Sequence, residues 1–264
     1  MRALIIVFLV SATLYLLLVA ALYATQRRQI YFPVPETRNR ARESFRLLVA
    51  GSSLKIWRLH PQAQPPGRPA LIYFGGNAEN VADNFAEFDR LFAGYTVYLA
   101  NYRGYGGSSG QPSENALLTD AVSLFDAVEA EHPAIAVIGR SLGSAVAIHL
   151  AARRPVTRLL LITPFASLTG VARAHYFYLP VSRLLKDRYE NLAKIPAITA
   201  PVLMLLAEND EIIPRRESDR LRRAFTGHPC ETVTIPGAGH NDLDRHPLYR
   251  QTIKQFIATW ENEE

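Results

Sequence analysis

Residues 136–145 read AVIGRSLGSA, an apolar stretch followed by a Gly-x-Ser-x-Gly turn and the start of a helix-forming segment at 142–154. This order predicts a buried strand that turns sharply into a helix and exposes Ser141 on the turn. Gly139 and Gly143 suit the turn because the chain doubles back so tightly that larger side chains would clash. An ordinary glycine-rich turn is the alternative, but the flanking strand and helix favour a nucleophilic serine.

Apolar strand patterns and helical patterns alternate along the rest of the chain. Strands are expected near residues 45–50, 55–59, 70–74, 96–100, 135–138, 159–163, 201–207 and 231–235. Helices are expected at residues 81–92, 113–132, 142–154, 215–225 and 248–260, and a proline-rich turn at 61–69. This alternation predicts an α/β fold, with a mostly parallel eight-stranded sheet and helices on both faces. Chemistry in such sheets gathers at the carboxyl ends of the strands, where Ser141 is expected.

The N-terminal segment differs in kind from the rest. Residues 3–24 form a run of 22 residues without charge, and Arg27 and Arg28 follow it. At 1.5 Å per residue this run is long enough to cross a bilayer, so it predicts a single-pass helix in a lipid membrane. A cleaved signal peptide is the competing interpretation, although its apolar core is usually only about 7–15 residues long.

Basic residues follow the apolar run. The formal net charge is +5, and much of the excess lies in residues 27–44. Such residues attract anionic lipid head groups and, by the positive-inside rule, favour a cytoplasmic domain. A very short N-terminus before a signal-like segment favours the opposite orientation, so the side of the membrane stays open. The predicted organisation is an anchor at 1–26, a basic juxtamembrane linker at 27–44 whose residues 29–35 run along the membrane surface, and a catalytic domain at 45–264.

Composition and motifs exclude several other classes of protein. One cysteine, Cys230, allows neither an intrachain disulfide nor a zinc cluster. No basic stripe with interleaved aromatics predicts binding to nucleic acid. The glycine-rich residues 103–110 lack the Gly-Lys-Ser/Thr ending of a phosphate-binding loop, which favours a structural turn. Residues 240–246 alternate His and Asp, but their loop context favours surface polarity over a metal site. The chain is therefore expected to use no cofactor and no metal.

A serine hydroxyl becomes a good nucleophile when a base takes its proton and an acid orients that base. His240 stands in a loop directly after a strand, where a base that reaches back to Ser141 should be. The other histidines after Ser141 lie in helical segments or before prolines: His149, His175, His228 and His246. The acid should follow the preceding strand. Asp210 is predicted because its turn closes at Pro214, and Glu208 is the second candidate.

The developing oxyanion needs two N–H donors. The backbone of Leu142, the residue after the serine, should supply one of them. The other should come from the loop after the strand at 70–74. The N–H of Asn77 is predicted there, with that of Gly76 as the alternative.

Six runs of residues resemble the α/β-hydrolase superfamily over about 45–262, and more narrowly the single-anchor serine hydrolases related to eukaryotic protein depalmitoylases. These runs are residues 76–80, 101–106, 139–143, 164–168, 210–214 and 239–242. The resemblance implies that Ser141, Asp210 and His240 form a catalytic triad. Many relatives have His-Gly where this chain has Gly75 and Gly76, but the donor is a backbone group and is expected to survive the change.

The expected substrate follows from the small cover over the site. Fewer than 40 residues separate the strands at 159–163 and 201–207, so any lid is small, with an aromatic flap at 174–180. A lightly covered site near a membrane predicts a carboxylesterase or thioesterase for small-molecule or acylated substrates such as lipids and S-acylated proteins. A serine peptidase, and an inactive membrane-tethered scaffold with the same fold, are the alternatives.

Overall fold

The computed structural model describes residues 1–39, 41–60 and 68–261. Within these residues the strands are β1 (Glu43–Val49), β2 (Ser52–Leu59), β3 (Ala70–Phe74), β4 (Thr96–Ala100), β5 (Ile135–Arg140), β6 (Arg158–Ile162), β7 (Val202–Ala207) and β8 (Cys230–Ile235). They form one eight-stranded sheet in the order β1-β2-β4-β3-β5-β6-β7-β8. β2 pairs antiparallel with β1 and β4, and the other pairs are parallel. The predicted fold class is confirmed. Most of the expected proline-rich turn at 61–69 lies outside the described residues.

Helices cover both faces of the sheet. The α-helices of the described residues are α1 (Arg2–Ile30), α2 (Phe85–Leu91), α3 (Glu114–Glu129), α4 (Leu142–Ala151), α5 (Leu168–His175), α6 (Val181–Leu184), α7 (Arg215–Ala224) and α8 (Pro247–Glu261), of which α2, α3, α4, α7 and α8 pack on the sheet. Because side chains alternate along a strand, Ile72 of β3 faces the core that includes α3, α4 and α7, while Leu71 and Tyr73 face the core that includes α2 and α8. Ser113 caps α3 as predicted, since its Oγ accepts the N–H of Ala116 at 3.3 Å.

The strand register brings distant loops together at one edge of the sheet. Phe74 of β3 pairs with Gly139 of β5, so the chain leaves both strands side by side. Ala207 of β7 pairs with Ile235 of β8, so the loops that follow these strands are also neighbours. The segments that carry the predicted site residues therefore all emerge at the carboxyl ends of parallel strands.

Helix α1 extends past the predicted anchor boundary at residue 26. It is apolar and long enough to span a membrane: one 18-residue window has a mean hydropathy of 2.8, and no residue of that window is buried. The expectation that the following segment lies along a membrane surface is wrong for Tyr31, which is 2% exposed. Its hydroxyl lies 2.9 Å from that of Tyr189, so the domain core takes up this side chain.

Candidate active site

The turn at Ser141 has the geometry of a nucleophile elbow. Ser141 lies between β5 and α4 with φ +50° and ψ −115°, a backbone conformation that residues other than glycine rarely adopt. A Cβ atom on Gly139 would lie 2.3 Å from the Gly143 carbonyl oxygen, and one on Gly143 would lie 2.0 Å from that of Phe74. Gly139 is therefore required because β5 turns back tightly onto α4, and Gly143 because α4 packs closely against the end of β3.

His240 lies between Ser141 and Asp210. Its Nε2 is 3.0 Å from Ser141 Oγ, and its Nδ1 is 3.0 and 2.9 Å from the two carboxylate oxygens of Asp210. A carboxylate can only accept, so Nδ1 carries the proton and leaves Nε2 free to accept from the serine hydroxyl. His240 is 5% exposed. The structure thus brings together the three side chains that the sequence singles out.

Two further carboxylates lie near His240 without touching its ring. Glu208, the second candidate for the acid, accepts the N–H of Gly237 at 2.8 Å. Glu211 accepts the backbone N–H of His240 at 3.0 Å. Asp210 itself is oriented by the N–H groups of residues 212 and 213, which donate to its Oδ1 at 2.9 and 2.7 Å. Of these carboxylates, the one that faces the imidazole is that of Asp210.

The loop after β3, residues 75–80, lies against the elbow and is called here the oxyanion loop. A Cβ on Gly76 would lie 3.7 Å from the Ser141 Cβ. The Gly76 N–H, the alternative candidate for the oxyanion donor, already donates to Glu79 Oε2 at 2.6 Å. Leu142 is the first residue of α4, so its N–H has no acceptor within the helix. Engagement of Gly76 leaves the backbone N–H of Asn77 as the better candidate.

The Asn77 side chain connects the oxyanion loop to the end of α1. Its Nδ2 donates to the Ile30 carbonyl at 2.6 Å, and its Oδ1 accepts from the Phe32 N–H at 3.0 Å. The Tyr105 hydroxyl also donates to Oδ1, at 2.8 Å. The amide is thus engaged at both ends, which holds the loop in place. These contacts link residues up to 47 positions apart and could not be read from the local sequence.

Glu79 supports the candidate site, although the sequence alone predicts no role for it. Besides the Gly76 N–H, it accepts from the Tyr73 hydroxyl at 2.6 Å and from Asn84 Nδ2 at 2.8 Å. Its Oε2 also lies 3.3 Å from the Arg140 guanidinium, next to Ser141. Glu79 therefore fixes the oxyanion loop against the elbow. The one indication in the sequence is that Glu79 lies within residues 76–80, one of the runs that resemble α/β-hydrolases.

The remaining histidines after Ser141 lie elsewhere in the fold. Burial, aided by Lys194, lowers the pKa of His149 in α4 to about 4. His175 Nε2 lies 2.9 Å from the Ile212 carbonyl, and His246 lies 3.9 Å from Asp242. The ring of His228 packs against Phe225. His240 therefore remains the candidate for the base.

Residues 103–110, considered above as a phosphate-binding loop, and residues 240–246, considered as a metal site, make structural contacts. In the glycine-rich run, the Arg103 guanidinium donates to both carboxylate oxygens of Asp120 at 2.7 and 2.6 Å, which is a structural ion pair. In residues 240–246, the Asp242 Oδ1 accepts the Gly239 N–H at 2.7 Å. Over the described parts of the chain, no group of three His, Cys, Asp or Glu is placed to hold a metal ion.

Comparisons with known proteins place the chain among hydrolases. A family model described as "Serine aminopeptidase, S33" matches residues 68–194. "Uncharacterized protein Rv2307c" of Mycobacterium tuberculosis is 36% identical over 255 residues, which cover 90% of this chain and 89% of that protein. Alpha/beta hydrolase domain-containing protein 17B of Xenopus laevis is 30% identical over 210 residues, covering 74% of this chain and 68% of the relative. The fold is similar to that of the Pyrococcus furiosus esterase PF2001, with a TM-score of 0.69, 16% identity and coverage of 88% of this chain and 98% of the esterase.

Proposed function

The chain belongs to the α/β-hydrolase superfamily, and we propose that it is a serine hydrolase that cleaves carboxylic esters or thioesters of acyl type. The observation that carries the proposal is the continuous hydrogen-bonded series from Asp210 through His240 to Ser141. Such a series, at the carboxyl edge of a parallel sheet, is the arrangement that activates a serine.

The reaction proceeds through an acyl-enzyme. His240 Nε2 takes the proton of Ser141, whose Oγ attacks the acyl carbon and forms a tetrahedral oxyanion. The backbone N–H groups of Asn77 and Leu142 stabilise that negative charge. The imidazolium, stabilised by Asp210, gives its proton to the leaving alcohol or thiol. Water then attacks the acyl-enzyme with His240 again as the base, which releases the acid and restores the serine.

Membrane attachment through α1 is part of the proposal. The apolar character of the helix and the exposure of its side chains support an anchor that keeps the catalytic domain at a bilayer. A site held there meets acyl lipids and S-acylated proteins more readily than polar metabolites. The division into an anchor at 1–26, a linker at 27–44 and a catalytic domain at 45–264 stays a prediction.

A fluorophosphonate probe tests the proposed nucleophile directly. We expect the full-length protein in detergent to be labelled covalently and Ser141→Ala not to be labelled, because the probe reacts with activated serines. Peptide mapping should find the adduct on Ser141. Absence of labelling on folded protein would instead support an inactive scaffold.

A substrate panel separates the hydrolase classes. We expect the wild-type protein to cleave p-nitrophenyl esters and acyl thioesters. Amino-acid p-nitroanilides belong in the same panel because the matching family model carries the description of a peptidase. Faster cleavage of the anilides than of the esters would replace the esterase assignment with a peptidase.

Cys230 provides a control for the type of nucleophile. Burial raises the pKa of its half-buried thiol to about 11. At pH 8 about one thiol in a thousand is then ionised, so alkylation should be slow in the folded protein and fast in urea. We expect iodoacetamide to leave the rate of hydrolysis unchanged. Mass spectrometry of the same samples measures how much of Cys230 is alkylated. Loss of activity in step with alkylation of Cys230 would contradict the serine mechanism.

A further inference from the structure

Three aromatic side chains are exposed where α5 joins α6, in the aromatic flap at residues 174–180. Tyr176, Phe177 and Tyr178 are 42%, 85% and 52% exposed. The ring of Tyr178 packs edge-on against the other two, with its centroid 6.4 Å from that of Tyr176 and 5.6 Å from that of Phe177. The three rings therefore form one continuous apolar patch, which the mechanism above does not use. Contiguous apolar surface of this kind marks contact with another protein or with a membrane.

The aromatic flap lies beside the apolar run of α1. The Tyr15 hydroxyl donates to the Tyr178 carbonyl at 2.9 Å. Tyr15 precedes Ala24, the last residue of the run 3–24, by nine positions. At 1.5 Å per residue these positions span about 14 Å along the helix axis. A bilayer that surrounds the whole run therefore also reaches the aromatic flap.

The part of α1 beyond this contact is too short to cross a bilayer alone. Residues 3–14, which precede Tyr15, number 12. They span about 18 Å, whereas the hydrocarbon core of a bilayer is about 30 Å thick. A helix that crosses this core must therefore place Tyr15 and several residues after it inside the lipid. The aromatic flap, which is bonded to Tyr15, then lies in the lipid as well.

The backbone of the aromatic flap is suited to surroundings without water. The Tyr176 N–H donates to the Ala172 carbonyl at 2.8 Å, and the Tyr176 carbonyl accepts the Leu179 N–H at 3.0 Å. The Tyr178 carbonyl accepts from Tyr15, as described above. Because lipid chains offer no hydrogen-bonding partners, a segment that enters them must pair its polar groups within the protein. These pairings lower the cost of moving the aromatic flap out of water.

Basic side chains border the apolar patch. Residues 168–186 contain Arg173, Arg183 and Lys186 but no Asp or Glu. All three cations are exposed, and Lys186 Nζ lies 4.2 Å from the centre of the Tyr23 ring in α1. Long cationic side chains can keep their charges at the head groups while their stems lie along apolar surface. The apolar patch and its basic border therefore match the chains and the phosphate groups of lipids.

We propose that the aromatic flap inserts into the bilayer that α1 crosses and forms a second point of membrane attachment. This inference rests on membrane attachment through α1, which is part of the proposed function. With two points held in the lipid, the catalytic domain is fixed against rotation about α1. α5 ends at His175, whose Nε2 lies 2.9 Å from the Ile212 carbonyl beyond Asp210. Insertion therefore also holds the rim of the candidate active site close to the bilayer surface.

Spin labelling measures where the aromatic flap lies in the full-length protein, reconstituted in vesicles of phosphatidylcholine and phosphatidylglycerol. A nitroxide is attached to Phe177→Cys in a Cys230→Ser background, since Cys230 is the one native cysteine. Power saturation then compares collisions with oxygen, which concentrates in hydrocarbon, and with a water-soluble nickel chelate. We expect collisions with oxygen to exceed those with nickel several-fold at this position.

Two further variants in the same background are the controls. Val10→Cys, in the apolar part of α1, should collide mainly with oxygen, as a residue of the membrane span does. Ala130→Cys is exposed between α3 and β5, at the opposite edge of the sheet from the candidate site, and should collide mainly with nickel. Circular dichroism checks that each variant is folded.

The outcomes separate this inference from the proposed function. Oxygen access at Val10→Cys with mainly nickel access at Phe177→Cys would overturn insertion and leave the anchor standing. Little access of either reagent at Phe177→Cys would also overturn it, because a protein partner or a second copy would then cover the patch. Nickel access at Val10→Cys would remove membrane attachment through α1, and insertion with it. Hydrolysis of p-nitrophenyl esters is measured separately, and its absence would contradict the hydrolase assignment alone.

Discussion

Replacing Ser141 with alanine should lower kcat for ester hydrolysis by about 10⁶-fold, the loss that follows removal of one member of such a triad. Alanine removes the oxygen that attacks the acyl carbon, so His240 has no serine proton to take and Asp210 has no imidazolium to stabilise. The fold should persist, because the turn is fixed by backbone geometry and by Gly139 and Gly143 rather than by the serine hydroxyl. Steady-state rates on p-nitrophenyl esters, with circular dichroism as a check of folding, measure this.

Combining substitutions shows whether the residues act as one unit. His240→Ala alone should cost about as much as Ser141→Ala, and the double variant should be no slower than either single variant. Ser218→Ala is a suitable control: Ser218 is a buried serine whose hydroxyl donates to the Pro164 carbonyl at 2.9 Å and not to His240. If the losses from Ser141→Ala and His240→Ala multiply, the two side chains work independently and the triad assignment is wrong.

The strands of the central sheet are well predicted because their signal is local. β3 and β4 begin and end at the predicted residues, since a buried parallel strand is a short apolar run with polar or glycine residues at its ends. α3 ends at Glu129 instead of 132. There His132 turns to Tyr98 and the Arg68 carbonyl, at 2.9 and 2.7 Å, and such tertiary contacts are not visible in the helical pattern.

The three residues of the candidate triad can be predicted for a similar reason. Each of its three side chains follows its own strand, and the sheet brings the ends of those strands to one edge. The supporting residues are less predictable. Glu79 contacts Arg140, 61 positions away, and Tyr31 contacts Tyr189, 158 positions away. Nothing in the periodicity of a loop or linker specifies a partner at such a distance.

Contacts at the end of α1 join the N-terminal segment to the candidate site. Ile30 and Phe32 hold the Asn77 side chain, and Arg27 pairs with Asp187. The segment that the sequence presents as a tether is thereby joined to the loop that should carry an oxyanion donor. The order of the candidate site is therefore expected to depend on residues at the end of α1.

Asp210→Asn should lower kcat by about 10⁴-fold while the protein stays folded. The aspartate accepts from Nδ1 and so keeps Nε2 of His240 free to take the serine proton. An asparagine amide that turns its NH₂ toward the ring stabilises the opposite tautomer, in which Nε2 carries hydrogen and cannot act as a base. It also removes the negative charge that stabilises the imidazolium. The measurement is kcat at saturating p-nitrophenyl ester.

Glu208→Gln is the matched control for Asp210→Asn, because both exchange a carboxylate for an amide in the same loop. Glu208 accepts the Gly237 N–H, and the glutamine oxygen can accept the same bond, so kcat should stay within a few-fold of wild type. The contrast between the two variants therefore isolates the contact with the imidazole. Full activity in Asp210→Asn, together with a large loss in Glu208→Gln, would transfer the role of the acid to Glu208.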